Sequence, residues 1–218
     1  MRVFEDSSFD RKLRLRLVEK LQDKGISDEH VLQAIYAVPR HYFMPIELLD
    51  YSYEDKPYPI GEGQTISQPY TVAYQTQLLN IQPTNRVLEI GSGSAYQATI
   101  LAMLASEVFT IERQKKLSDK YQRFEYLKEF DNLHFFYGDG YEGLPQLAPF
   151  DRILITAAAP FIPPKLTEQL NRNGKMVLPL GEEKPQRMVR ITKSNNGALE
   201  QEVFDHFSFV PMLEGKKE

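Results

Sequence analysis

The sequence predicts a doubly wound α/β fold: a mostly parallel sheet of seven strands with helices on both faces, preceded by an N-terminal helical extension. Three observations predict it. From residue 86 onward, short apolar runs of strand length alternate with segments of helical periodicity. The first run, Val87, Leu88 and Ile90, is compact and apolar, as suits a strand buried on both faces. It passes through Gly91-Ser-Gly93, where the backbone can turn tightly, into a helical pattern with Ile100, Leu101 and Leu104 on one side.

The composition sets limits on partners. With 218 residues the chain is long enough for one well-buried domain with an appendage and short for two independent ones. We divide it into residues 1–66, helices and an active-site loop packed on the core, and residues 67–218, the α/β core. A formal net charge of -4 disfavours nucleic acid, anionic membranes and polyanionic substrates. The absence of cysteine excludes disulfides, thiolate metal sites and a cysteine nucleophile. The start, Met1 to Asp6, lacks the apolar core of a signal peptide, and no apolar run approaches the roughly 20 residues of a membrane span. The expectation is a cytoplasmic protein.

In chain order, Phe9, Leu13, Leu17, Val18 and Leu21 recur at helical spacing, and Gly25 is placed to end that helix. The basic cluster Arg11, Lys12, Arg14 and Arg16 reads as a solvated helix face, with anion binding as the rival reading. Ser27 or Asp28 caps a second helix carrying Val31, Leu32, Ile35 and Tyr36, which Pro39 terminates. Prolines 45, 57 and 59 with Gly61 and Gly63 make residues 40–66 irregular, sealed against the core by tyrosines 42, 51, 53 and 58. A third helix carries Val72, Thr76 and Leu79. Ser67 is placed to cap it, with Pro69 in its first turn, and capping alone would explain the serine.

Beyond the central strand and helix, 108–111 reads as strand and 115–130 as helix. Further strands cover 133–137, 150–156 and 175–178, with a short helix over 166–170. Met188–Ile191, the turn Ser194–Gly197 and the stretch 199–212 form a terminal hairpin. The order of the last two strands stays open. Histidines 30, 41, 134 and 206 have no spacing to acids that suggests a metal site, and no Ser-His-Asp arrangement is present.

The chemistry concentrates at strand ends. Glu112 closes the second strand, where a carboxylate accepts from both hydroxyls of a ribose bound across the first crossover. Tyr96 replaces the third glycine of the dinucleotide fingerprint, which counts against a nicotinamide. Glu89, inside the first strand, would repel a pyrophosphate and attract a cation. The ligand implied is a cationic nucleoside, and S-adenosylmethionine, a sulfonium, fits. Asp139, in Gly138-Asp-Gly140, reads either as an acceptor for an adenine amino group or as plain turn chemistry.

Four motifs occur in order: Ile66-Ser-Gln-Pro-Tyr70, Val87-Leu-Glu-Ile-Gly91 with Gly93-Ser-Ala-Tyr-Gln97, Gly138-Asp-Gly-Tyr-Glu-Gly143 and Thr156-Ala-Ala-Ala-Pro160. Together they closely resemble the protein-L-isoaspartate O-methyltransferases. The resemblance runs from about Gly25 to about Met212 and includes Val38-Pro-Arg-His41 and Phe209-Val-Pro211. It implies a Rossmann-like class I methyltransferase core that uses S-adenosyl-L-methionine and releases S-adenosyl-L-homocysteine. It further implies that Glu89, Gly91 and Gly93 line the methionine side, Glu112 holds the ribose, and Asp139 with Gly140 meets the adenine. Gln64, Thr65 and Ile66 would join the cofactor contacts in an active-site loop, and Ser67 is the residue given a catalytic part. The partners implied are isoaspartyl-containing proteins and peptides, met by a monomer without metal, nucleic acid or membrane. The chain departs from the family pattern at Ala95, usually glycine, at Leu144, often tryptophan, and at Leu213, a hydroxyl residue in some relatives.

Overall fold

A computed structural model describes residues 5–121 and 123–218. Met1 to Phe4, part of the start read above, and Gln122, inside the predicted 115–130 helix, lie outside the described residues.

The N-terminal lobe begins with helix α1 (Ser8–Asp23), opened by a reciprocal capping box in which the Asp10 amide donates to Ser7 Oγ at 3.1 Å and the Ser7 amide to Asp10 Oδ2 at 3.1 Å. Gly25 ends it at φ +93°, a left-handed turn that lets the Ile26 amide reach back to the Leu21 carbonyl at 3.1 Å. Leu17 and Leu21 are buried as expected, but Phe9 is 67% exposed. Within the basic cluster, Arg14 is buried rather than solvated, because Asp6 accepts from its two terminal nitrogens at 3.0 and 2.9 Å and Tyr53 Oη accepts at 3.0 Å. Arg11, Lys12 and Arg16 do face solvent. Helix α2 (Glu29–Ala37) is capped by Asp28, not Ser27: its Oδ1 accepts from the His30 and Val31 amides.

The irregular stretch holds two 3-10 segments, Arg40–Phe43 and Ile46–Tyr51, and then a small antiparallel hairpin, β1 (Tyr58–Gly61) and β2 (Gln64–Ile66). Helix α3 (Pro69–Leu79) follows. Its N-cap position is Gln68, which makes no side-chain cap, so Ser67 is not the cap either. The first-turn amide of Tyr70 donates instead to Asp55 Oδ1 at 2.8 Å, a partner 15 residues upstream.

The main sheet comprises β3 (Arg86–Ile90), β4 (Glu107–Glu112), β5 (Leu133–Tyr137), β6 (Phe150–Ile155), β7 (Leu170–Leu180), β8 (Gln186–Lys193) and β9 (Leu199–Phe207). Their order is β5-β4-β3-β6-β7-β8-β9. Pairings are parallel from β5 through β7 and antiparallel in the closing meander β7-β8-β9. The last two strands therefore lie in sequence order. Helices α4 (Tyr96–Ala102), α5 (Lys115–Tyr121) and α6 (Pro164–Gln169) complete the core, and α5 stops well short of the predicted Phe130, with a 3-10 segment, Glu125–Glu129, after it.

Alternate strand residues enter two apolar clusters on opposite faces of the sheet. Val87, Val108, Leu154 and Val177 join residues of α1 to α5, whereas Leu88, Phe109, Ile153, Ile155 and Met176 pack with Leu166 of α6. Helices thus cover both faces unequally. The first cluster also takes in Leu17 and Ile35 of the lobe, so lobe and sheet share one continuous core. Burying each such aliphatic side chain stabilises by about 1.5–3 kcal/mol. Among the described residues no helix is long and apolar enough to cross a membrane.

Candidate active site

The parallel strands β3, β4, β5 and β6 end on one edge of the sheet, and the turns that leave them border a cavity of about 600 Å³. Gly91 follows β3 at φ +98°, with its amide donating to the Ile111 carbonyl at 2.9 Å. A Cβ here would stand 2.5 Å from Thr156 Oγ1, whose hydroxyl donates to the Gly91 carbonyl at 2.7 Å. Gly140, after β5, is as confined: a Cβ would lie 2.4 Å from Ile90 Cγ2. Side chains at either position would displace the wall, so main chain lines the cavity there.

Glu112 ends β4 and lines the same cavity. Its Oε2 accepts from the Gly93 amide at 3.0 Å and its Oε1 from the Gln114 amide at 2.8 Å, which fixes the carboxylate while leaving each oxygen a further lone pair. Burial pushes its pKa up, against the lowering effect of these amides. Tyr121 Oη donates to the Gly93 carbonyl at 2.9 Å and holds the turn from the other side. The turn closes at Ala95, which is fully buried and left-handed at φ +70°, a conformation that glycine adopts without its steric cost.

Glu89 stands directly behind this wall, with no exposed surface. Its Oε2 accepts from Thr110 Oγ1 at 2.5 Å, Thr110 Oγ1 is 2.7 Å from Ser92 Oγ, and Ser92 lines the cavity. Oε1 has no hydrogen-bond partner among the described residues. Burial, with Glu112 nearby, pushes the pKa to about 8 despite the Thr110 bond. No cation lies beside this acid among the described residues, so a positively charged ligand would favour its ionised form.

The opposite wall is the segment Gln64 to Gln68, leading out of β2 into α3. Ser67 is partly exposed to the cavity, and its hydroxyl makes no hydrogen bond among the described residues. It is free to take one from a ligand. The fold therefore brings together Gln64, Thr65, Ile66, Ser67, Gly91, Gly93, Glu112 and Gly140 around one space. Glu89 sits one layer behind it. Asp139 does not line it: Oδ1 accepts from the Tyr141 amide at 2.9 Å and Oδ2 from the Gly215 amide at 2.7 Å.

Of the other wall residues, Arg113, Gln114 and His206 carried no local signal, whereas Thr156 and Phe209 to Pro211 lie in motifs quoted above. Thr156, Arg113, Gln114, His206 and the run Phe207 to Leu213 line the cavity because strand ends and the segment after β9 converge there. Leu213, at one of the departures from the family pattern, is among them and is 49% exposed. His41 lies near Asp6 and Asp10, with ligand-type atoms within 4.8 Å of one another, which the sequence spacing did not suggest. Asp6 is already bound twice by Arg14, and His41 Nδ1 is 2.6 Å from Tyr53 Oη, so these groups satisfy one another.

The space has the features that a cationic nucleoside requires: main chain bared by glycine, a fixed carboxylate at the second strand end and a buried acid with an orphaned oxygen. Comparison with known proteins agrees. The sequence profile of the family described as Protein-L-isoaspartate(D-aspartate) O-methyltransferase matches residues 12–217. A Cytophaga hutchinsonii protein named protein-L-isoaspartate O-methyltransferase is 49% identical over 209 residues, covering 96% of this chain and 94% of its own. One of the same name from Flavobacterium johnsoniae is 46% identical over 212 residues, covering 97% and 99%. A solved structure from Plasmodium falciparum, a putative protein-L-isoaspartate O-methyltransferase in complex with S-adenosyl-L-homocysteine, superposes with a TM-score of 0.79 at 28% identity over 92% of this chain and 98% of that one.

Proposed function

The chain belongs to the protein-L-isoaspartate O-methyltransferase family, and we propose that the cavity at the carboxyl edge of β3 to β6 is where this protein carries out that chemistry. The reaction is transfer of a methyl group from S-adenosyl-L-methionine to the free α-carboxyl of an L-isoaspartyl residue. The observation that carries the placement is the meeting, in one cavity, of a nucleoside-type wall and the unbonded hydroxyl of Ser67.

When bound, S-adenosyl-L-methionine supplies an electrophilic methyl on a positively charged sulfur. Gly91 and Gly93 give the methionine portion access to main chain, with Glu89 behind them as a buried acid whose ionised form the sulfonium would favour. Glu112 holds the ribose hydroxyls with the lone pairs its two amide bonds leave free, and Gly140 borders the adenine. Gln64, Thr65 and Ile66 cover the cofactor from the hairpin side, and Ser67 donates to the substrate carboxylate. That carboxylate has an ordinary pKa near 4 and is ionised at neutral pH, so the protein need not remove a proton. Its task is alignment and exclusion of water. The methyl ester formed is displaced more readily than the free carboxylate: the next backbone amide nitrogen attacks it, methanol leaves, and water opens the resulting succinimide in part to normal aspartate. The product S-adenosyl-L-homocysteine has lost the positive charge that favours ionised Glu89, so it gains less from this wall than the substrate cofactor does.

The same reading has the protein act as a cytoplasmic monomer without metal, nucleic acid or membrane partner. The net charge of -4 and the absence of cysteine support it. The test is transfer of labelled methyl to a short peptide with one isoaspartate and to its aspartate twin. Transfer to the isoaspartyl peptide alone is expected. Transfer to neither peptide, with the cofactor still bound, overturns the substrate assignment.

A further inference from the structure

Asp139 is not among the residues that line the cavity, and the more distant of the two amides it accepts from belongs to a second structural device. Beyond β9 the chain returns across the carboxyl edge of the sheet. At β6 the Met212 amide donates to the Ala158 carbonyl at 2.7 Å. At β5 Met212 Cε lies 3.4 Å from the point where a Gly140 Cβ would stand, and the Gly215 amide donates to Asp139 Oδ2 at 2.7 Å. At β4, Arg113 donates to two carbonyls of the passing chain, through Nε to Gly215 at 2.9 Å and through a terminal nitrogen to Glu214 at 3.2 Å. Two further main-chain bonds finish the crossing: the Lys217 amide to the Arg113 carbonyl at 2.8 Å, and the Lys115 amide to the Lys217 carbonyl at 2.9 Å.

We propose that residues 210–217 form a strap that walls the nucleoside end of the cavity, latched by Asp139 and Arg113 as positioning residues. The inference rests on the reading of this cavity as the S-adenosyl-L-methionine site. The strap passes the turns after β4 and β5, which carry Glu112 and Gly140, and its own residues up to Leu213 line the cavity. Asp139 thus acts through main chain: one carboxylate oxygen fixes its own turn at Tyr141 and the other fixes the strap at Gly215. Gly215 is left-handed at φ +69°, so the chain bends at the latch. Arg113 reaches both carbonyls because its guanidinium presents several donors in one plane, which a lysine does not reproduce.

Because the latch is built almost wholly from main-chain groups of the strap, its side chains are dispensable while its presence is not. The experiment titrates S-adenosyl-L-homocysteine calorimetrically into the full chain, a chain ending at Leu213, Arg113→Lys and the control Lys217→Ala. Loss of the latch should raise Kd by roughly tenfold in the shortened chain, with a smaller rise in Arg113→Lys, in proportion to the hydrogen bonds lost. Lys217→Ala should bind as the full chain does. In methyl transfer, the KM for S-adenosyl-L-methionine should rise while kcat at saturating cofactor and the KM for peptide stay within about twofold, a split that general destabilisation would not produce. Hydrogen exchange supplies a readout that needs no variant: saturating S-adenosyl-L-homocysteine should slow exchange of the Gly215 amide, since coupling between ligand and strap is reciprocal. An unchanged Kd in a folded shortened chain, or Gly215 exchange indifferent to ligand, overturns the strap and leaves the cofactor site standing. Failure of the full chain to bind S-adenosyl-L-homocysteine overturns the site itself.

Discussion

The helical lobe and the sheet treat their buried carboxylates in opposite ways. In the lobe, burial alone would raise the pKa of Asp55, but hydrogen bonds from Lys24 at 2.5 Å and from the Tyr70 amide outweigh it, and the carboxyl sits below its ordinary value. Asp6 is the same case, with Arg14 as the cation that overcomes burial. In the sheet, burial wins: Glu89 and Glu112 are both pushed up, and neither forms an ion pair among the described residues. In the lobe these buried acids have cations of their own, whereas in the sheet Glu89 and Glu112 have none among the described residues, so it is their ionised forms that a cationic ligand would favour. The difference separates acids that hold the fold from acids that wait for a cation.

The largest expected effect is on the pH dependence of stability. Glu89 has a folded pKa of about 8 against an ordinary 4.5, so its stabilising contribution is complete below about 4.5 and is lost as pH rises toward 8. Asp55 and Asp6 lie below 3.8, so theirs is present above that value and is lost as pH falls through the lowered ones. Urea unfolding should show stability declining on the order of 1 kcal/mol per pH unit between pH 5 and 8, and Glu89→Gln should flatten that limb without altering the acid one. An alkaline limb that keeps its slope in the variant would break the contrast.

Next in size, Asp55→Ala should cost about 2 kcal/mol in unfolding free energy, because it uncaps α3 at Tyr70 and removes the partner of the part-exposed Lys24. A loss below about 1 kcal/mol would mean that the lobe acid is not structural. Glu89→Gln sharpens the other side of the comparison. At pH 8 its affinity for S-adenosyl-L-methionine should fall roughly tenfold while that for S-adenosyl-L-homocysteine, which lacks the sulfonium charge, changes much less. Equal losses for both ligands would show that Glu89 serves shape, not charge. The smallest stability effect belongs to Ser67→Ala, expected within about 0.5 kcal/mol of the parent because the hydroxyl caps nothing. Turnover should nevertheless fall about tenfold or more, for loss of a hydrogen bond to a charged group. Retained turnover would remove Ser67 from the mechanism.

The sheet and its strand ends were legible in the sequence because apolar runs such as Val87 to Ile90 encode burial locally, and Glu112 follows such a run directly. What escaped depends on distant partners. Ser67 resembles a cap by every local rule, yet Asp55 takes that part from upstream. Arg14 belongs to a basic run whose other members are solvated, and only the approach of Asp6 and Tyr53 lets it be buried. Asp139 sits where an adenine acceptor is expected, and nothing local in the sequence signals that its second oxygen also accepts from Gly215, 76 residues away. Helix 115–130 has adequate periodicity throughout, yet the ordered helix ends at Tyr121 and the next segment packs Phe124 and Tyr126 edge-on against Phe43. Tertiary aromatic contacts there override helical propensity.

The strand order carries one more consequence, for the crowd of molecules rather than for the single one. β9 is outermost, nine residues long, and pairs only with β8 among the described residues. Leu199 and Val203 on it are 47% and 48% exposed, the ingredients of an aggregation-prone edge. Glu200 and Asp205 are interleaved with them, beside Glu202, whose charge Arg190 meets at 2.8 Å. Every copy carries the same sign of charge along that edge, so two molecules approaching strand to strand bring acid against acid. Colloidal stability at neutral pH is thereby supported by one of the two strands that the sheet leaves with an open edge.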